Sequence, residues 1–210
     1  MTHELRSTIF IVASTLLILA YLAWVLTGPI KRFLYRHFTV RFYYPVVRQV
    51  ALDHDFFLVN EFVGSLSGGD QLHIDHILIG EKFIYCIRDR YYEGTIRAKE
   101  NDPNWIYYSR KYKDGYLIPN PLRMNEIRVQ RMSLMSGLSR KLFISVVLVN
   151  NECFLSNYEV TSSNNFVVSL KNLPSFIAEK EALPVEPMDP RAIDVAARDI
   201  ADLNLHGKEN

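Results

Sequence analysis

The chain has 210 residues and a formal net charge of +1, with 24 Lys and Arg against 23 Asp and Glu. That length holds a membrane anchor and one domain of ordinary size, and the near-neutral balance excludes a uniformly basic nucleic-acid binder. Its two cysteines, Cys86 and Cys153, lack metal-site spacing and sit in apolar stretches, the pattern of buried free thiols in a reducing compartment.

Thr8 to Gly28 (TIFIVASTLLILAYLAWVLTG) carries no charged residue and is long enough to cross a bilayer as a helix. Tyr21 and Trp24 suit its interfacial end. A cleaved signal peptide would have a shorter apolar region followed by a small-x-small site. Pro29, Ile30, Lys31 and Arg32 stand there instead, so an uncleaved single-pass anchor is predicted. Arg6, offset by Glu4, precedes the span, whereas Lys31, Arg32, Arg36, Arg41 and Arg48 follow it. The positive-inside rule therefore predicts a cytoplasmic C-terminal domain.

Residues 29–50 form a basic, aromatic juxtamembrane segment, where Lys31, Arg32, Arg36 and Arg41 stand among Phe33, Tyr35, Phe38, Phe42 and Tyr43. This mixture suits anionic lipid headgroups or nucleic acid. The neighbouring span favours lipid, because Lys and Arg snorkel at a membrane boundary. Pro45 is predicted to break or end any helix.

Residues 51–182 carry the pattern of one domain. Phe56 to Leu66 suits a strand and Ser67-Gly68-Gly69-Asp70 a turn. Leu72 to Ile79 and Phe83 to Tyr91, joined through Gly80-Glu81-Lys82, read as a β-hairpin, so three antiparallel strands follow in a meander. Thr95 to Ala98 is predicted to continue the sheet. Trp105 to Arg110 and Tyr116 to Ile118 are short strands around a turn at Lys113-Asp114-Gly115, with Tyr107, Tyr108, Tyr112 and Tyr116 as half-buried strand positions. Asn120 can cap and Pro121 open a helix, its apolar face drawn from Leu122, Ile127, Met132, Leu134, Met135 and Leu138. Arg123, Arg128, Arg131, Arg140 and Lys141 make this region basic, a solvated face rather than a phosphate-facing one.

Leu142 to Val149 is apolar enough for a central strand buried on both sides. A polar, turn-rich stretch at 150–165 precedes a strand at Phe166 to Leu170 and a helix at Leu173 to Glu181. Residues 183–210 are a Pro-rich linker and a helix opening at Asp189-Pro190. Its Ile193, Ala196, Ala197, Ile200, Ala201 and Leu203 either dock on the domain or meet a protein partner. From His206 the chain is predicted to fray.

The stretch Gln71 to Gly94 (QLHIDHILIGEKFIYCIRDRYYEG) resembles the core of the nuclease-related domain, or NERD, family. Ile74-Asp75-His76-Ile77 matches the first half of that core, and Phe83, Ile84, Ile87, Tyr92 and Gly94 match the second. Trp105 and Asn120-Pro121-Leu122 fall where the family has a Trp and an Asn-Pro-Leu, so the resemblance runs from Val46 to Ile177. It implies a mixed α/β fold related to the PD-(D/E)xK nucleases, a mixed central sheet flanked by helices. Such nucleases hold a divalent metal between two carboxylates and use a Lys to position or activate water.

The departures fall on the chemistry. The family's Glu lands on Arg88 and its Lys on Arg90, and the Gln before Ile-Asp lands on His73. A hard cation needs oxygen ligands, and a guanidinium offers none. Arg90 keeps the charge of the Lys but cannot release a proton as a base. Asp89 points to the opposite strand face from Arg88. Glu93 is the candidate substitute ligand, while Glu61 and Asp70 are upstream acids. An ion pair of Asp75 with Arg88 or Arg90 is the structural substitute for a lost metal. One His on the face of Asp75, His73, makes too few donors for a metal site, and His76 reads as a structural histidine.

The expectation is a membrane-anchored, catalytically degenerate nuclease-fold domain acting in binding or assembly. Its motif positions are Asp75, Arg88 and Arg90, and it holds no metal or other cofactor. One alternative is an active magnesium- or manganese-dependent nuclease of DNA or RNA with a migrated carboxylate. Another is a membrane-surface scaffold with no nucleic-acid role. The bilayer is the expected partner in all three; nucleic acid, and a protein through the C-terminal helix, are the others to test.

Overall fold

The computed structural model describes residues 3–65, 69–159 and 161–205, without the side chains of residues 3–9 and 31. The turn expected at Ser67 and Gly68, and the fraying expected from His206, lie outside the described residues. The chain divides into two compact units, Met1–Thr39 and Val40–Asn210.

The first unit is helix α1 (His3–His37). Within it Phe10–His37 is long and apolar enough to cross a membrane, and no part of that window is buried by protein. The helix does not stop at Gly28-Pro29. Pro29 lies inside it, where a missing N–H removes one turn's hydrogen bond without ending the helix.

The second unit begins with α2 (Thr39–Asp53), which carries Pro45 in its interior. Pro45 was expected to break the helix and does not. Tyr43, Val47, Val50 and Ala51 are buried at i, i+4, i+7 and i+8, and such tertiary packing outweighs one absent bond. Residues 40–50, read from the sequence as juxtamembrane, thus belong to the folded unit, as do residues 183–205.

The central sheet has five strands in the order β1-β2-β3-β7-β9. β1 (Phe57–Ser65), β2 (Gln71–Ile79) and β3 (Ile84–Arg90) form the antiparallel meander, and β7 (Phe143–Val149) and β9 (Asn165–Ser169) add in parallel. All seven residues of β7 are buried, as a strand covered on both faces requires.

β4 (Gly94–Arg97) does not continue this sheet. It opens a second sheet with β5 (Asn104–Tyr108), β6 (Tyr116–Pro119) and β8 (Cys153–Ser156), in the order β6-β5-β4-β8. Gly94 makes the departure: its φ is +125°, and a Cβ there would stand 2.4 Å from the Tyr108 carbonyl oxygen. β8 lies in the stretch 150–165 read as turns; its pairing with β4 supplies the order that four residues cannot carry alone.

Helix α3 (Pro121–Ser136) is capped by Asn120, whose Oδ1 accepts from the Leu122 and Arg123 N–H groups and whose Nδ2 donates to the Glu100 and Asp102 carbonyls. It lies against β2, β3 and β7. Its buried stripe is Leu122, Asn125, Val129 and Met132; Ile127 and Leu134, expected in the apolar face, are exposed. α4 (Leu173–Glu181) follows β9. α5 (Pro190–Leu203), capped by Asp189, docks on β1 and α3 and buries Ala196, Ala197 and Ile200.

Candidate functional site

The β2–β3 ladder runs from Ile79↔Ile84 to His76↔Ile87 and ends there. The next register places Asp75 opposite Arg88, where side chains replace the ladder. Arg88 Nη1 donates to Asp75 Oδ1, and the Asp89 N–H donates to Asp75 Oδ2 at 2.7 Å. Each carboxylate oxygen therefore has a donor. Asp75 is buried and Arg88 half-buried, with Arg88 Nε buried and without a partner. Burial lowers the Arg88 pKa, Asp75 opposes that shift, and Arg90 adds to it. Arg90 does not reach Asp75; its Nη1 donates to the Asp89 carbonyl at 2.9 Å.

Asp89 points to the opposite face, as strand alternation requires. There it accepts from His76 Nε2 at 2.9 Å, and His76 Nδ1 lies 2.6 Å from Asn60 Oδ1. Asn60, His76 and Asp89 thus join β1, β2 and β3 in one polar chain beneath the ion pair. Both the His76 and Asp89 side chains are fully buried, and Asp89 Oδ1 has no partner. Burial pushes the Asp89 carboxyl up to about 6, with the His76 hydrogen bond holding it lower than burial alone would. The sequence supports a structural His76; it does not reveal that Asp89 is its partner, a pairing that needs the β2–β3 register.

Asp75 and Arg88 open into a pocket of about 250 Å³, which Glu61, Phe62, Val63, His73 and Ile74 also line. Glu61 holds φ +50° within β1, a conformation costly for a residue with a Cβ and concentrated at functional sites. Its strand neighbours pair as Asn60↔His76 and Phe62↔Ile74, so Glu61 stands across from Asp75. The turn expected at Ser67 to Asp70 would have set Glu61 opposite His76, so this second acid needed the observed β1–β2 register. Glu93 is elsewhere. It is exposed beyond the end of β3, its carboxylate accepts from the Tyr91 hydroxyl, and its backbone bonds the Tyr107 hydroxyl.

At this pair both Asp75 oxygens are engaged and a guanidinium, which offers no oxygen ligand, occupies the adjacent position. Among the described residues no group of three or more His, Cys, Asp or Glu is arranged to hold an ion. Arg32 and Arg36 are exposed on α1 and Arg41 on α2. The Lys31 side chain lies outside the description. The tyrosines of the second sheet pack on one another, with Tyr112 and Tyr116 stacked at 4.9 Å. Cys86 is buried and Cys153 half-buried, both as free thiols.

Among curated proteins none matches the chain. The crystal structure of the protein of unknown function AF1548 is similar at 14% identity over 64% of this chain and 54% of that one. The TM-score is 0.32. A family model for the nuclease-related domain matches residues 32–150. That match spans α2, the β1–β2–β3 meander with the Asp75–Arg88 pair, the second sheet through β6, α3 and all of β7, and on it the chain belongs to the nuclease-related domain family.

Proposed function

We propose that this is a membrane-anchored nuclease-related protein that has lost metal-dependent cleavage and acts in binding or assembly at the cytoplasmic membrane face. The observation that carries the reading is the Arg88 guanidinium seated on Asp75, at the position where the family resemblance places a metal-binding glutamate. A cation held there repels a metal and satisfies the carboxylate that would otherwise need one.

Two measurements on the purified full-length chain test it. Incubation with DNA or RNA and magnesium or manganese should give no cleavage, and neither metal should raise the melting temperature. Arg88→Glu combined with Arg90→Lys should gain metal-dependent stabilisation. Cleavage that Asp75→Ala abolishes would overturn the reading in favour of an active nuclease, whose second carboxylate would be Glu61, across from Asp75 in the same pocket, rather than Glu93.

A further inference from the structure

α3 has two opposite faces. Leu122, Asn125, Val129 and Met132 face the sheet. Met124, Ile127, Arg128, Arg131 and Leu134, spaced i, i+3, i+4, i+7 and i+10, lie along the other side. On that side Met124 is 44% exposed, Ile127 46% and Leu134 83%, a row of large aliphatic residues in water beside arginines. The helix has one acid, Glu126, and Arg140 takes both its oxygens. No ion pair among the described residues reaches Arg123, Arg128 or Arg131. Between this side and the end of the β2–β3 hairpin lies a cleft of about 320 Å³. It is lined by Met124, Ile127, Arg128 and Arg131 with His73 and Arg88.

We propose that the outer side of α3 docks on an anionic phospholipid surface. Arg128, Arg131 and the cleft take the headgroup phosphates, while Met124, Ile127 and Leu134 enter the acyl boundary. Cations beside aliphatic side chains match the layered chemistry of a bilayer surface, charge outside and hydrocarbon beneath. Nucleic acid would use the cations but leave Leu134 and Ile127 against a charged backbone, and this side of α3 has no aromatic ring on which bases could stack. A second copy would bring like charges together. The chain also carries a helix apolar and long enough to span a membrane, so connectivity keeps lipid at high local concentration. The inference does not rest on the loss of cleavage: its cations and aliphatic side chains belong to α3, and Arg88 only borders the cleft.

The test uses the full-length chain in lipid nanodiscs, with an environment-sensitive fluorophore on Leu134→Cys in a Cys153→Ser background. In discs containing phosphatidylglycerol the emission should shift to the blue and be quenched by lipid-borne spin labels; in phosphatidylcholine discs it should not. Arg128→Glu with Arg131→Glu should remove the shift while circular dichroism and the melt stay unchanged. Should that variant fold poorly, high salt on the unaltered arginines must remove the shift by screening alone. A probe equally wet in both lipids overturns the proposal. So does a shift that needs more than one copy per disc, or one produced by an oligonucleotide in discs without anionic lipid.

Discussion

Asp75 accepts from a side chain and from a strand N–H at once, so its loss orphans two donors. Arg88 would keep a half-buried charge whose Nε is already without a partner, and the Asp89 N–H would lose its acceptor. Removing one member of such a pair costs more than the pair itself contributes. Asp75→Ala should therefore lower the unfolding free energy by about 2–4 kcal/mol in urea melts; a loss under about 1 kcal/mol would mean that solvent screens the pair. Asp89, one residue on, makes a different prediction. Its carboxyl rises from 3.8 to about 6 on folding, chiefly by burial, with His76, Asp75 and Arg88 as the charged neighbours. A raised acid favours the protonated fold, so this contribution is complete below 3.8 and disappears as the pH climbs to about 6. Asp89→Asn keeps an oxygen for His76 and cannot ionise. Wild type should lose about 1–3 kcal/mol relative to this variant between pH 4 and 6. Parallel stability curves would show that Asp89 does not titrate there.

At the scale of elements, what could be read from the sequence was what local chemistry dictates. Asn120-Pro121 announces a cap and a first turn, and both are present. The apolar run at 142–149 announces a buried strand, and β7 is one. Elements that exist only through tertiary contact were not legible. α2 survives Pro45 because Tyr43, Val47, Val50 and Ala51 are buried. β8 is ordered by β4, and β4 joins a separate sheet because Gly94 turns the chain at positive φ. The apolar face of α3 departs from its expected membership at Ile127 and Leu134 alone, while Leu122, Met132, Met135 and Leu138 pack as expected. Val129 lies among arginines and glutamine in sequence yet packs in the core, and the core accepts buried Asn125, whose Nδ2 donates to the Cys86 and Val146 carbonyls and the Ser145 hydroxyl. A hydropathy pattern counts Asn as outward and Leu134 as inward; here the hydrogen bonds from α3 to β3 and β7 reverse both. The site divides along the same line. Asp75 and Arg88 were visible through their place on the hairpin, whereas Glu61 and the Asp89–His76 bond depend on cross-strand register.

At the scale of the whole molecule, the two units differ in what surrounds their apolar residues. In Val40–Asn210 large apolar side chains gather in buried clusters, Phe62, Ile77 and Phe143 on the one hand and Trp105, Leu122 and Val147 on the other, and the exposed ones, such as Leu134 and Phe154, are scattered. Those of α1 from Phe10 to Ile30 are exposed, including Leu16, Leu17, Ile18, Leu19, Leu22 and Trp24. Water does not tolerate a patch of that size on a stable soluble protein, whereas a bilayer does. Flanking charge then bears on the proposed orientation. Lys31, Arg32, Arg36, Arg41 and Arg48 follow the apolar stretch, against Arg6 and Glu4 before it. The positive-inside rule supports the proposed cytoplasmic side for the nuclease-related unit, where Cys86 and Cys153 would remain thiols. A fluorescent protein fused after Asn210 should therefore be bright, and alkaline phosphatase at the same position inactive. Active phosphatase would reverse the orientation. Moving cations tests the cause: Lys31, Arg32 and Arg36 changed to Gln, with two Lys added before Thr8, should shift part of the population to the opposite topology. An unchanged distribution would mean that folding of the C-terminal unit, and not flanking charge, retains it on its side of the membrane.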